Sequence, residues 1–160
     1  MTQAGEDSPR YFEDVAVGER TRTGSYTFER NSIVEFARLY DPQPMHLDEE
    51  AAKASLFGRL VASGWQTLGV TMRLMVEAKP LGTTPLIGLQ IDDIRFTRPV
   101  LPGDTISAEL EILEKRISKT APSRGIVKGR TITSNQKGAE VSSQLWTMMV
   151  PLRNPGSAAG

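Results

Sequence analysis

Residues 105–112 alternate strictly. Ile106, Ala108, Leu110 and Ile112 fall on one side, and Thr105, Ser107, Glu109 and Glu111 on the other. A period of two is the mark of a half-buried strand. Three more stretches read the same way. Leu86–Phe96 is rich in β-formers, and its alternation changes phase at Asp92-Asp93, which predicts a bulge. Gly125–Ser134 and Val141–Val150 follow, joined through Asn135-Gln136-Lys137-Gly138, a hairpin turn. An earlier segment, residues 20–29, carries Thr and aromatics and predicts a fifth strand.

Between the first strand and the last four, the period changes. Ser32 with Glu35 reads as a capping box, and Ile33, Phe36 and Tyr40 recur at helical spacing, predicting a helix over 33–40 that Asp41-Pro42 ends. A second short helix follows Asp48 as its N-cap, with Glu49 and Glu50 in its first turn. A third starts after Ser63, which forms another capping box with Gln66, and runs to Ala78 before Lys79-Pro80. On its wheel Trp65, Leu68, Gly69, Met72, Met75 and Val76 fill one side. Val70 and Leu74 lie nearly opposite, and only Gln66, Arg73 and Glu77 make a polar stripe. A helix apolar almost all round is a buried helix. One strand, helices, then four strands predicts an α+β architecture, the helices on one face of an antiparallel sheet. The expected organisation is one domain over 11–153, between loose ends at 1–10 and 154–160.

Composition narrows the function classes. The 160 residues carry 19 Lys+Arg against 19 Asp+Glu, a net charge of zero. That argues against nucleic acid or an anionic membrane as partner, since both select a sustained positive field. No apolar run approaches the roughly 18 residues that span a bilayer. No export signal is visible at the N-terminus, so the cytoplasm is the default expectation. With no cysteine and one histidine, disulfides, thiol nucleophiles and Cys/His zinc sites are excluded. A carboxylate-only site for a hard cation stays open, but no calcium-type Asp/Asn/Gly loop occurs and no metal is expected.

Two segments could carry chemistry. Asp41-Pro42-Gln43-Pro44-Met45-His46 holds the only histidine. Its two prolines predict a stiff, non-helical backbone able to keep a carboxylate and an imidazole at fixed separation, a pair suited to acid–base work. The same residues also read as an ordinary Asp-Pro helix end followed by a loop histidine. The second segment is Ser63-Gly64. Ser63 reads as a helix cap. The unpaired first amides of the helix, approachable at Gly64, also meet the requirement of an oxyanion site. Ser63 is not expected to be a nucleophile, because Val61-Ala62-Ser63-Gly64-Trp65 lacks the first glycine of a nucleophile elbow. Lys115, Arg116 and Lys119 read as a solvated turn, with a phosphate contact as the alternative. Asp92 and Asp93 should point to opposite faces.

These residues carry a resemblance. Asp41-x-Gln43-Pro44-x-His46-x-Asp48, followed by Ala51, Ala52 and Phe57, resembles the Asp-x-Asn-Pro-x-His-x-Asp motif of the MaoC-like dehydratases, which include R-specific enoyl-CoA hydratases. Phe96-Thr97-Arg98-Pro99-Val100-Leu101-Pro102-Gly103-Asp104 resembles that family's Phe-x-x-Pro-Val-x-x-Gly-Asp segment, and Tyr11-Phe12-Glu13-Asp14-Val15-x-Val17-Gly18 its usual start.

The resemblance implies a hotdog fold, an antiparallel sheet wrapped around one long helix. It also implies a homodimer or dimer of dimers joined at sheet edges, and no cofactor beyond a coenzyme A thioester as substrate. It places the family's acid–base pair on Asp41 and His46, and its oxyanion amide on Gly64, beside Ser63. The implied reaction is reversible addition of water to a trans-2-enoyl thioester. Gln43 replaces the usual Asn, and Tyr40 stands where the family has a glycine, so a phenol is expected beside the acyl pocket. A hotdog thioesterase is the alternative enzyme, though the long helix offers only Glu77 as a carboxylate. A non-catalytic acyl-binding hotdog protein is the third reading.

Overall fold

The computed structural model describes residues 7–155. After a 3-10 turn at Phe12–Asp14 come β1 (Arg20–Thr27), α1 (Arg30–Tyr40), α2 (Pro44–Leu47), α3 (Glu49–Lys53) and α4 (Gly64–Ala78). Then follow β2 (Ile87–Phe96), β3 (Thr105–Ile117), β4 (Arg124–Ser134) and β5 (Glu140–Pro151). The strands form one antiparallel sheet in the order β1-β3-β4-β5-β2. The alternating residues of β3 point where the pattern requires, with Ile106, Ala108, Leu110 and Ile112 all buried. The expected bulge is present: the β2–β5 register slips between Asp92 and Arg95, and Asp93 adopts a left-handed φ of 49°. At the β4–β5 hairpin the Asn135 carboxamide accepts the amides of Lys137 and Ala139. Gly138 there takes a φ of 73°.

Helix α4 lies on the inner face of the sheet, and its bounds match those expected. Lys79 ends it in the left-handed region at φ 49°. The inward side mixes polar and apolar residues. Gln66, Thr67, Thr71, Leu74, Met75 and Ala78 are buried, whereas Trp65 is 63% and Val76 55% exposed. The helix is therefore buried along one side, not all round as its apolar wheel implies. The core accordingly divides. One apolar cluster gathers Phe28, Ile33, Leu74, Val100 and Ile106, and the other Phe12, Met75, Leu110, Val127 and Val150.

Two further expectations are corrected. Helix α1 starts at Arg30 with Glu29 as N-cap. Ser32 is thus inside the helix, and its hydroxyl meets Tyr26 Oη at 3.2 Å and Gln66 Nε2 at 3.1 Å instead of capping. The segment after Pro42 is not wholly extended. Pro44 opens one helical turn, because a proline at the first helical position loses no hydrogen bond and has its φ pre-set.

The expected loose ends fall mostly outside the described residues. Within them, Ser8 to Arg10 bond to the 81–83 segment: Arg10 N–H donates to Leu81 O, and Thr83 N–H to Ser8 O, both at 3.1 Å. Arg10 also pairs with Glu19 at 2.6 Å. Lys115 is structural. Its ammonium donates to the carbonyls of Phe12 and Val15 at 2.9 and 2.6 Å, tying the first turn to β3.

The two sheet edges differ. On β1, Arg20 and Arg22 pair across the strand with Glu109 and Glu111. Charges of this kind blunt an edge. On β2, Ile87, Leu89, Ile91, Ile94 and Phe96 are all exposed, as are Trp65 and Val76 of α4. Among the described residues no helix is long and apolar enough to cross a membrane.

The orientation of α4 is testable by chemical denaturation. Leu74→Ala should cost roughly 2–5 kcal/mol, as for a buried leucine. Arg73→Ala, on the outward side with its Glu77 partner, should cost under about 1 kcal/mol.

Candidate active site

The turn α2 and the start of α4 are brought together by the chain crossing at Val61. Val61 N–H donates to Met45 O at 3.0 Å, and Ala62 N–H to Val100 O at 2.8 Å. This pairing lays the segment before α4 between α2 and the Pro99–Val100 loop. Asp41, ending α1, comes to face Ser63 and His46.

Each polar group here has a defined partner. Ser63 accepts the Trp65 amide at 3.2 Å, capping α4, and its hydroxyl donates to Asp41 Oδ2 at 2.6 Å. Gln43 Nε2 donates to Asp41 Oδ1 at 2.7 Å. The longer Gln thus reaches the carboxylate and holds its second oxygen. His46 is buried, and its Nδ1 lies 2.7 Å from Val61 O. A carbonyl only accepts, so Nδ1 carries a proton, and Nε2 faces Asp41 Oδ2 at 3.4 Å. Burial pushes the Asp41 carboxyl up, but the donors Ser63 and Gln43 and the nearby His46 outweigh it and hold the group below its ordinary value.

A cleft of about 410 Å³ opens beside these groups, lined by Asp41, Gln43, His46, Gly64, Trp65 and Phe96 among others. Gly64, the first residue of α4, is covered by the Phe96 ring. A Cβ there would stand 2.7 Å from two ring carbons. Only glycine leaves both that ring and a neighbouring ligand atom close to the first amides of the helix.

Of the six residues expected at the site, Asp41, Gln43, His46, Ser63 and Gly64 converge. Tyr40 does not. Its side chain is 70% exposed and stacks on Phe36 one turn earlier, 5.0 Å between ring centres. The ring turns back along α1, and Tyr40 is not among the residues lining the cleft. Glu77 lies at the far end of α4, on the surface, bound to Arg73 at 2.8 Å. Two contributors were missed. Val61 O orients the imidazole, and Arg98 lines the cleft with a guanidinium that donates to Glu140 O at 2.9 Å. Arg98 stood inside a quoted motif, but only the sheet topology shows which site that motif borders. Among the described residues, no group of three or more His, Asp or Glu side chains could hold a metal ion.

A five-stranded antiparallel sheet packed on one long helix is the hotdog fold, and here a buried imidazole and a carboxylate stand together at the helix start. The chain belongs to the MaoC-like domain family, whose model matches residues 5–135. A crystal structure of a MaoC-like dehydratase from Rhodospirillum rubrum is 41% identical, with a TM-score of 0.84 over 90% of this chain and 98% of that one. The protein YdeM of Bacillus subtilis is 32% identical over 129 residues, 81% of this chain and 90% of its own length. An (R)-specific enoyl-CoA hydratase of R. rubrum is 28% identical over 144 residues, 89% and 93% of the two chains.

Ser63 couples the helix cap to the carboxylate, which gives a signed pH prediction. A carboxyl held below its ordinary value stabilises the fold above that value, and the contribution disappears as pH falls through the folded-state value. Ser63→Ala should move the Asp41 pKa upward in a side-chain carbon NMR titration. At neutral pH it should cost about 1–2 kcal/mol of stability.

Proposed function

We propose that the protein is an acyl-thioester hydratase/dehydratase, adding water reversibly to a trans-2-enoyl-CoA to give a 3-hydroxyacyl-CoA. The observation that carries this reading is the Asp41–His46 pair at 3.4 Å beside the first residue of α4. The name of the R. rubrum enoyl-CoA hydratase supports the reaction class.

The thioester oxygen would sit at the Gly64 amide, where the positive end of α4 favours developing negative charge. A water between Asp41 and His46 loses a proton to Asp41 as its oxygen bonds to the β carbon. The double-bond electrons move to the thioester oxygen, forming an enolate. The proton taken by Asp41 passes across 3.4 Å to His46 Nε2. As the enolate collapses, Nε2 delivers that proton to the α carbon, which restores the carboxylate and the Nδ1–H imidazole. Ser63 and Gln43 keep the carboxylate aimed through this cycle, and Val61 O keeps Nε2 turned toward the cleft. Dehydration runs the same steps backward.

Arg98, on the cleft wall, is the cation placed to meet the anionic coenzyme. The assembly proposed is a homodimer in which β2 strands of two copies extend the sheet, covering an apolar edge that the charged β1 edge does not match.

The loss of the conjugated enoyl-thioester ultraviolet band follows the reaction. Asp41→Asn and His46→Gln should each lower kcat by about 10²–10⁴-fold. Wild-type turnover by both variants would remove the assignment. Arg98→Ala should raise KM roughly 5–20-fold while leaving kcat within about twofold, the pattern of lost ground-state binding. Ile91→Asp should shift the protein from dimer to monomer in sedimentation velocity.

A further inference from the structure

Between the two apolar clusters the core is polar. Thr131 pairs with Gln144 across β4 and β5, and Thr133 with Ser142. Alternate strand residues share a face, and Thr133 Oγ1 lies 3.0 Å from Thr71 Oγ1 of α4, so all four point under the helix. Each is at most 1% exposed. Thr133 has its partner. Thr131 Oγ1, Ser142 Oγ, both polar atoms of the Gln144 amide, Trp146 Nε1 and Gln66 Oε1 find none among the described residues, although solvent does not reach them.

One such atom is a common blemish, whereas five along one face of the β4–β5 pair are not. Leaving a buried amide unpaired is costly, and an apolar residue of similar shape would be as good or better for stability. A polar band kept at that cost points to a ligand group that completes it. The band also connects two cavities. At one end Ser142 pairs with Phe96 and follows Val141, both lining the Asp41–His46 cleft. At the other, Thr131 and Trp146 line a hole of about 20 Å³ with Met72 and Met75. That hole is the size of about one water, and unbranched methionine walls are the kind that give way. From Ser142 to Gln144 is two strand residues, roughly 7 Å.

We infer that the acyl group runs from the cleft under α4 and carries, several carbons beyond the reacting double bond, a neutral hydrogen-bonding group received by Gln144, Ser142 and Thr131. The inference rests on the hydratase reading and specifies its substrate class. The unpaired atoms include both donors and acceptors, which a hydroxyl satisfies in both senses. The band contains no Arg, Lys or His, so a carboxylate there would be buried without a counter-ion, at a prohibitive cost. The preferred substrates are therefore hydroxylated enoyl thioesters, ahead of plain alkyl ones.

The test uses the full chain and trans-2-enoyl-CoAs of four to eight carbons, each with and without a terminal hydroxyl, together with Gln144→Met. For at least one chain length the hydroxylated member should show kcat/KM about tenfold or more above its plain partner. Gln144→Met should bring that ratio close to one, and it should raise Tm by ~2–4 °C because an unpaired amide has gone. Thr131→Val, a second and smaller change, should shift both readings in the same directions. Turnover with a ratio near one at every length overturns the inference alone. A fall in Tm for both variants overturns it too, by showing that the band is already satisfied in the native protein. No turnover of any member overturns the hydratase reading and this inference with it.

Discussion

The Ser63 hydroxyl joins the scaffold to the chemistry. It accepts an amide that α4 cannot bond internally and donates its own proton to Asp41, so the start of the helix and the carboxylate are held by one oxygen. Around that link the other restraints fall into place. Gln43 holds the second carboxylate oxygen, Val61 O holds the imidazole, and Val61 and Ala62 are in turn held by Met45 and Val100. The site is therefore built from backbone pairing between segments far apart in sequence, with little dependence on the flexible surface.

The cost of this arrangement lies in the core beneath it. A long helix packed over a sheet normally meets it with aliphatic side chains. Here α4 sets Thr71 against Thr133 in a sheet row of Thr131, Thr133, Ser142 and Gln144, and buries Gln66 and Thr67 as well as Leu74, Met75 and Ala78. Stability is left to the two apolar clusters, one of which reaches the polar band through Met75 and Trp146. A core divided in this way gives up burial energy in the region where a substrate would enter, a trade that functional sites commonly make.

Local patterns revealed most of the elements. The alternation along β3, the phase change at the β2 bulge, the Asn-x-x-Gly hairpin and Ser63 as N-cap each depend on neighbours within a few residues and stand as read, whereas the capping box does not form, because Gln66 bonds to Ser32 instead. The all-round burial expected of α4 did not, because Trp65 and Val76 are exposed and only one side, mixing Gln66, Thr67 and Thr71 with Leu74, Met75 and Ala78, is buried. Ser32 was misread because a capping pattern also occurs inside a helix, where the hydroxyl went to Tyr26 and Gln66 instead. Tyr40 adjoins Asp41 in the chain, yet the helix end turns its ring toward Phe36. Asp41, Gln43, His46, Ser63 and Gly64 were legible through motif and capping chemistry. Arg98 and Val61 O required the sheet order and the backbone pairing, which no local pattern carries.

The central claim is that Asp41 and His46 move protons to and from water and the α carbon of a thioester. Proton NMR of a trans-2-enoyl-CoA incubated with the full chain in deuterated water tests it most directly. The account predicts a 3-hydroxyacyl-CoA carrying one deuterium at the α carbon, on one face only, with the thioester intact. Release of free coenzyme A with the double bond untouched would contradict it, and would identify a thioesterase built on the same fold.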